Sequence, residues 1–427
     1  MTENQVDPQD FKINTGMLHT YINNKSFLHN QTISLNKITK LTQDELDNIS
    51  IKIAQLFDKS SKSMQQEDLG TLGEYCYDIN TINLIKVDDS NLCYMRLGFV
   101  VDISGNPRLI EINSQTPSFN FELEEGTDIV LSQAKLNTRD TKYEVALHNC
   151  FKDNLLDCAE NIDKKLLDCN IGILTCDSFE DIFQANYFKR IIKDLKICNT
   201  VEVLTNKHFG FKKTTGKPFR DELGYTTEYD IILNWYPLEF SCDKEDGKYP
   251  NGTLFKDLLL KAIENKQVAI FNGIQSFVCQ NKYLYNYTQE FFKKDILALD
   301  LSKYLVNSFY TEDKVKKVHD DWIGKPIWGR QGNGVFGMKN NVSFRSRENQ
   351  KDDYYNNQYY IYQENPQLKT VLLEKDGVNT FVNITLEKFV YKTKHGWKAG
   401  GQGLRVTSDE VVKDSSQWVV INNEKYV

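Results

Sequence analysis

The chain has 427 residues and a mass of 49.6 kDa, room for two or three domains at very roughly 100–200 residues each. Hydrophobic residues are 40% and charged residues 26%, a globular balance that speaks against wholesale disorder. Lys+Arg 52 against Asp+Glu 59 leaves a formal charge of -7, which does not suggest a nucleic-acid backbone binder but is compatible with a local basic cleft for a nucleotide.

The opening MTENQVDPQDF is polar and acidic and carries no signal-peptide pattern. No apolar run approaches the roughly 20 residues of a membrane helix. Nine scattered cysteines without a CxxC argue against a disulfide framework or a zinc ribbon. The expectation is a soluble, cytoplasmic protein. Three segments are expected: a helical N-terminal segment (1–90), a central α/β lobe (91–300) and a strand-rich C-terminal lobe (301–427).

Between Leu41 and Met64, apolar residues at Leu46, Ile49, Ile53 and Leu56 form one helical stripe. Thr42 with Glu45 three positions on predicts a capping box. YMRLGFVVDI, SGNPR and LIEINS then read as a β-hairpin turning at Ser104–Arg108. Leu97, Phe99 and Val101 alternate on one strand and Ile110 and Ile112 on the other, giving an apolar face. The opposite face carries Arg96, Gly98, Glu111 and Asn113, with Gly98 across from Glu111 and Arg96 across from Asn113.

Residues 140–200 predict helices alternating with strands. NIGILTC (Asn170–Cys176), a helix near Asp181–Lys193, VEVLT (Val201–Thr205) and EYDIILNWYPLEF (Glu228–Phe240), which ends in an aromatic turn, have the βαβ rhythm of an α/β lobe. Cys242–Gly252 reads as a loop. The last third is strand-rich: WIGKPIW, VSF, YYIYQEN, FVNITLEKFVYK and WVVIN. AGGQGLRV (Ala399–Val406) reads as a glycine-rich connection, and Arg345–Asn357 as an exposed loop.

Lys325–Gly337, KPIWGRQGNGVFG, is the best phosphate candidate. Its glycines let backbone N–H groups approach phosphate oxygens, and Lys325 can add an ammonium. The sequence is neither a Walker A loop nor a GxGxxG fingerprint. Glu111 and Asn113, two apart on one strand face, are oxygen donors of the kind magnesium prefers. Arg96 and Arg405 suit phosphate or a charged tetrahedral intermediate. Each feature also has an ordinary reading: a ligand-free glycine turn, a solvated strand face, surface arginines. The six histidines show no metal spacing, and no GxSxG or Cys/His pair points to a covalent nucleophile.

Taken together and in order, these pieces resemble the glutathionylspermidine synthase family, ATP-grasp carboxylate–amine ligases, in its synthetase portion. The resemblance rests on YMRLGFVVDISGNPRLIEINSQTPS, IILNWYPLEF, Asn281-Lys282 in FVCQNKYLY, WIGKPIWGRQGNGV, IYQE and AGGQGLRV, and it spans about residues 90–422. It implies an α+β or α/β ATP-grasp fold with a pre-ATP-grasp lobe. It further implies ATP and Mg2+ as cofactors, and small-molecule or peptide carboxylate and amine substrates such as glutathione and a polyamine. Nucleic-acid and membrane partners are not expected.

By the same resemblance, Lys325 contacts the nucleotide phosphates under a lid containing Gly329, Arg330, Gly332 and Gly334. Gln363 and Glu364 sit at the adenine hinge, and Glu111 and Asn113 hold magnesium. Arg96 and Arg405 stabilise the acyl phosphate and the tetrahedral adduct, and Thr116 and Ser118 hold the acyl substrate. The family's metal-binding Asp is here Gly98, so a catalytically impaired nucleotide-binding protein is the alternative. Smaller departures are Ser114-Gln115 and Leu238. Lys351 is a loose candidate for a second phosphate lysine. A plain interaction module using Arg345–Asn357 has composition alone behind it.

Overall fold

The computed structural model describes residues 27–422, apart from 76, 78, 88–91, 134, 137–139, 223, 243–252, 292, 331, 347–356, 376–377 and 408–416. Its strands are β1 Phe27–Ser34, β2 Tyr94–Val101, β3 Pro107–Asn113, β4 Asn170–Thr175, β5 Thr200–Thr205, β6 Phe209–Phe211, β7 Pro218–Arg220, β8 Ile231–Trp235, β9 Ala269–Phe271, β10 Ser308–Phe309, β11 Trp322–Pro326, β12 Phe336–Lys339, β13 Val342–Arg345, β14 Tyr360–Glu364, β15 Thr370–Lys375, β16 Val378–Thr393, β17 Gly396–Thr407 and β18 Gln417–Asn422.

Three sheets organise these strands. The largest has seven strands in the order β1-β18-β17-β16-β2-β3, with β15 also on β16. A four-stranded sheet, β5-β4-β8-β9, is parallel throughout, as the βαβ rhythm predicts. A five-stranded antiparallel sheet, β10-β14-β11-β12-β13, carries Lys325 and the glycine loop. The strands β6 and β7 form a separate ribbon.

Helix α1, Gln43–Gln65, starts where the capping box places it. Thr42 Oγ1 accepts from the Glu45 N–H at 3.3 Å, and Glu45 Oε2 accepts from the Thr42 N–H at 2.8 Å. Its buried stripe of Leu46, Ile49, Ile53, Leu56 and Phe57 shares one core with Leu97, Phe99 and Val101 of β2. A second core surrounds the parallel sheet and helices α2, Lys142–Asn161, and α3, Phe179–Leu195. Neighbours on β16 show which face is which. Lys388 points to the helices and pairs with Asp47 of α1 at 2.8 Å, so Glu387 points to the opposite face.

Several expectations are corrected. The segment 1–90 is not purely helical: β1 pairs in parallel with β18 at the edge of the large sheet. That sheet draws strands from all three expected segments. Phe240 belongs to a short helix, Leu238–Cys242, rather than to a turn. The Arg345–Asn357 loop lies mostly outside the described residues, as does Lys351.

The glycine run at 399–406 is strand interior, not a connection. Its glycines are there because another segment lies against the sheet. A Cβ at Gly401 would collide with the Leu123 carbonyl oxygen, and one at Gly403 would meet Leu123 Cδ2 at 2.5 Å. The Gly401 N–H also donates to Glu124 Oε1 at 2.8 Å. Close backbone approach is a standard reason for glycine inside a strand.

Gly401→Ala is therefore expected to destabilise the protein by about 1–3 kcal/mol, the usual cost of overpacking. Gly73→Ala, on a helix with nothing within 4 Å of the new Cβ, is expected to be neutral or stabilising by up to about 1 kcal/mol. Urea unfolding of the two variants checks both.

Candidate active site

The site begins with an irregularity in the hairpin. Arg96 pairs with Asn113 and Gly98 with Glu111, as the alternation predicts. Beyond Gly98 the register slips, so that Phe99 faces Leu109 and Ile110 is the extra residue of a β-bulge. The expectation that Ile110 shares a core face with Ile112 is thereby corrected. Leu109 and Ile112 enter the core, while Ile110 joins Glu111 and Asn113 on the wall of a cavity of about 650 Å3. Bulges re-aim side chains in this way beside many functional sites.

The cavity lies between the large sheet and the five-stranded sheet. Lys325 on β11 reaches across it and donates from Nζ to the Ile110 carbonyl at 3.1 Å. Lys282 enters from the start of the helix Tyr283–Phe291 and donates to the Gly329 carbonyl at 2.7 Å. Burial pushes both ammonium groups down to about 8, against the opposing pull of Glu111. Burial alone would raise the Glu111 carboxyl. Arg96, Lys325, Lys282 and Arg405 instead hold it below the usual carboxylate range. Four cations thus act together on Glu111.

Arg96 and Arg405 come from β2 and β17 and converge on Glu387 of β16. Arg96 Nε lies 3.1 Å from Glu387 Oε2, and Arg405 Nη1 lies 3.8 Å from Oε1. Burial raises the Glu387 carboxyl, and the two arginines oppose that rise. Arg96 also donates to the Ser118 carbonyl at 2.8 Å. Both guanidinium groups lie over the Phe119 ring, at 4.8 and 5.2 Å from its centroid. Phe119 holds φ at +83°, a strained value for a bulky residue, and its ring packs on Trp418 with centroids 4.5 Å apart.

The glycine loop closes over the cavity from the five-stranded sheet. Gly332 and Gly334 have φ of +74° and +70°, which glycine adopts without a Cβ penalty. Arg330 ties this loop to the rest of the site. Its Nε donates to Glu239 Oε1 at 2.8 Å and its Nη1 to Thr116 Oγ1 at 2.8 Å. Gln115 holds the other Glu239 oxygen at 2.8 Å.

Of the residues singled out in the sequence, Arg96, Glu111, Asn113, Thr116, Ser118, Lys325, Gly329, Arg330, Gly332, Glu364 and Arg405 line this one cavity. Gly334 and Gln363 do not. Gln363 turns away from it, donating to Ser308 Oγ at 3.1 Å, because neighbours on a strand alternate faces. Glu364 accepts from Asn307 at 2.8 Å and from Arg108.

The sequence assigns no site role to Lys282, Glu387 or Phe119. For Lys282 the Asn281-Lys282 stretch was the available signal. Glu387 lies inside an ordinary strand pattern, and no sequence signal marks it. Cys176, Asp181 and Trp235 also line the cavity, Cys176 just after β4 and Trp235 at the carboxyl end of β8. The connections of the parallel sheet diverge there, since β5 lies on one side of β4 and β8 on the other. Ligands of open α/β sheets bind at such switch points.

The donor set at Glu111 and Asn113 fits a magnesium ion that shares its shell with phosphate oxygens and water. Among the described residues, no group of three or more His, Cys, Asp or Glu could hold a metal, so phosphate would have to complete the coordination.

No curated protein matches the sequence. Among solved structures, the chain is similar to a glutathione synthetase-like effector from Globodera pallida in its apo form. Identity there is 9% and the TM-score 0.54, over 90% of this chain and 88% of the other; the likeness is one of fold. Weaker matches are the N5-carboxyaminoimidazole synthetase of Staphylococcus aureus complexed with ADP (10% identity, TM-score 0.26, 56% of this chain and 71% of that one) and the ATP-grasp ligase PsnB complexed with a minimal precursor (12% identity, TM-score 0.25, 55% and 90%). The family model described as glutathionylspermidine synthase preATP-grasp matches residues 2–421. The three-sheet architecture is an ATP-grasp fold, and the chain belongs to the glutathionylspermidine synthase family of ATP-dependent ligases.

Proposed function

We propose that the protein uses ATP to join a substrate carboxylate to an amine through an acyl phosphate. One observation carries this reading: Lys282, Lys325, Arg96 and Arg405 surround Glu111 at one end of a 650 Å3 cavity. Two buried ammonium groups pushed down to about 8 are short of negative charge, and a polyphosphate supplies it.

In this reading Lys325 and Lys282 hold the phosphates, and the Gly329–Gly334 loop excludes water from them. Glu111 and Asn113 would hold the magnesium that accompanies ATP and screens phosphate charge. The γ-phosphoryl group passes to a carboxylate oxygen held near Thr116 and Ser118, and ADP is the leaving group. The amine lone pair then attacks the acyl carbon, the C–O bond to phosphate breaks, and the amine proton passes to solvent. Arg96 and Arg405 stabilise the oxyanion of the tetrahedral adduct.

The acyl donor is proposed to be a peptide such as glutathione. The amine is proposed to be a cation such as a polyamine, suited to the Glu180 and Asp181 end of the cavity. The setting is proposed to be cytoplasmic. Among the described residues, no helix is long and apolar enough to cross a membrane.

Incubation with ATP, magnesium and panels of peptides and polyamines is expected to yield ADP and an amide by mass spectrometry. No amide with any pair overturns the ligase reading. Nucleotide binding without turnover is the second reading. It is favoured by Gly98, whose missing side-chain space is taken by Glu111: a Cβ there would meet Glu111 Cγ at 2.8 Å. Binding of an ATP analogue that ignores magnesium, with no turnover, would decide for it.

Lys325→Met is expected to weaken binding of a non-hydrolysable ATP analogue by about tenfold or more, since a hydrogen bond to a charged group contributes about 1.5–3 kcal/mol. Calorimetry measures the loss.

The same titration should show proton uptake. Phosphate raises the pKa of both lysines, which burial holds at about 8. The complex should therefore take up protons near pH 8, and fewer at pH 7 where the lysines are already largely charged. Repeating the calorimetry in buffers of different ionisation enthalpy reads this uptake. Zero uptake at pH 8 would show that the lysines do not meet the phosphates.

A further inference from the structure

Across the floor of the cavity the strand register sets four residues side by side: Glu111 on β3, Gly98 on β2, Glu387 on β16 and Gly403 on β17. Cross-strand neighbours in antiparallel register project from the same face. With strands about 4.8 Å apart, the Cα atoms of Glu111 and Glu387 stand about 10 Å from each other with only a glycine between. Two glutamates leaning inward can span that gap with one cation between their carboxylates.

Glu111 already leans that way. A Cβ built on Gly98 would lie 2.8 Å from its Cγ and 3.3 Å from its Oε1. Glu387 is fully buried beneath the cavity. Neither of its oxygens accepts a hydrogen bond of good geometry, although buried polar atoms normally have such a partner. Its charged neighbours are the two arginines at 3.1 and 3.8 Å. Asp102, the acid further along the hairpin, serves the turn instead: its Oδ1 accepts from the Asn106 N–H at 2.9 Å.

Building on the reading of this cavity as an ATP site, we infer that Glu387 is a ligand of the divalent cation that enters with the nucleotide, supplying from the neighbouring strand the carboxylate that position 98 lacks. Gly98 is then the opening through which the two glutamates meet. A cation that draws the Glu387 carboxylate toward Glu111 also leaves Arg96 and Arg405 with positive charge to offer the incoming anions.

The test is a titration of Mn2+ into the full chain saturated with a non-hydrolysable ATP analogue, followed by electron paramagnetic resonance. Glu387→Gln is expected to weaken Mn2+ binding by about tenfold or more, at least the loss seen when a metal's outer shell is altered. Its affinity for the analogue without metal should not fall, since the substitution removes the negative charge beside Arg96 and Arg405. Unchanged Mn2+ affinity overturns the inference. So does loss of metal-free analogue binding in the variant, because Glu387 would then act only on the arginines.

A measurement on the unaltered protein keeps the inference falsifiable if the variant does not fold. In crystals grown with the analogue and Mn2+, the anomalous peak should lie within coordination distance of Glu387. A peak on Glu111 and Asn113 alone overturns the inference while leaving the ATP site standing. An analogue that binds neither with nor without metal overturns the ATP reading as well.

Discussion

Four cations held around a half-buried carboxylate form the constraint on which the rest of this site depends. Glu111 is charged because Arg96, Lys325, Lys282 and Arg405 surround it. Lys282 and Lys325 in turn keep part of their basicity because Glu111 is near. Taking any one of these charges out of water is costly, and removing one partner leaves others uncompensated. The groups reach one another from the hairpin, the helix after Asn281, the five-stranded sheet and β17, so the arrangement exists only when all four elements are in place.

Small features of the backbone make that convergence possible. The bulge at Ile110 turns one carbonyl toward Lys325 and so links the hairpin to the five-stranded sheet. Gly401 and Gly403 let the segment around Leu123 lie directly on β17. That segment is preceded by Phe119, whose strained backbone holds one ring against both guanidinium groups. Strain of this kind persists where the surroundings over-determine the conformation. Here they include Trp418, packed on the same ring.

The ordered motifs were enough to indicate the family, because short patterns of charged residues and glycine survive as local spellings. The capping box at Thr42 and the pairing of Gly98 with Glu111 were likewise legible, since both depend on spacing along a few residues. The bulge was not: a one-residue slip leaves the letters LIEIN unchanged and redirects Ile110. The glycine run after Ala399 was misread because composition marks glycine as a turn former, while its reason here is a neighbour more than 270 residues away in sequence. Gln363 illustrates the same limit in miniature. It sits beside Glu364 in the chain and on the other side of its strand.

By itself the sequence determined which chemical groups are present and which neighbours share a strand face, because periodicity and capping are local physics. Tertiary structure alone decided which distant groups meet. It set Lys282 beside Lys325, placed Gly98 in register between Glu387 and Glu111, and laid both arginines on one aromatic ring. Cross-strand register and sheet packing place those groups, and they are settled by contacts between chain segments that no local pattern records.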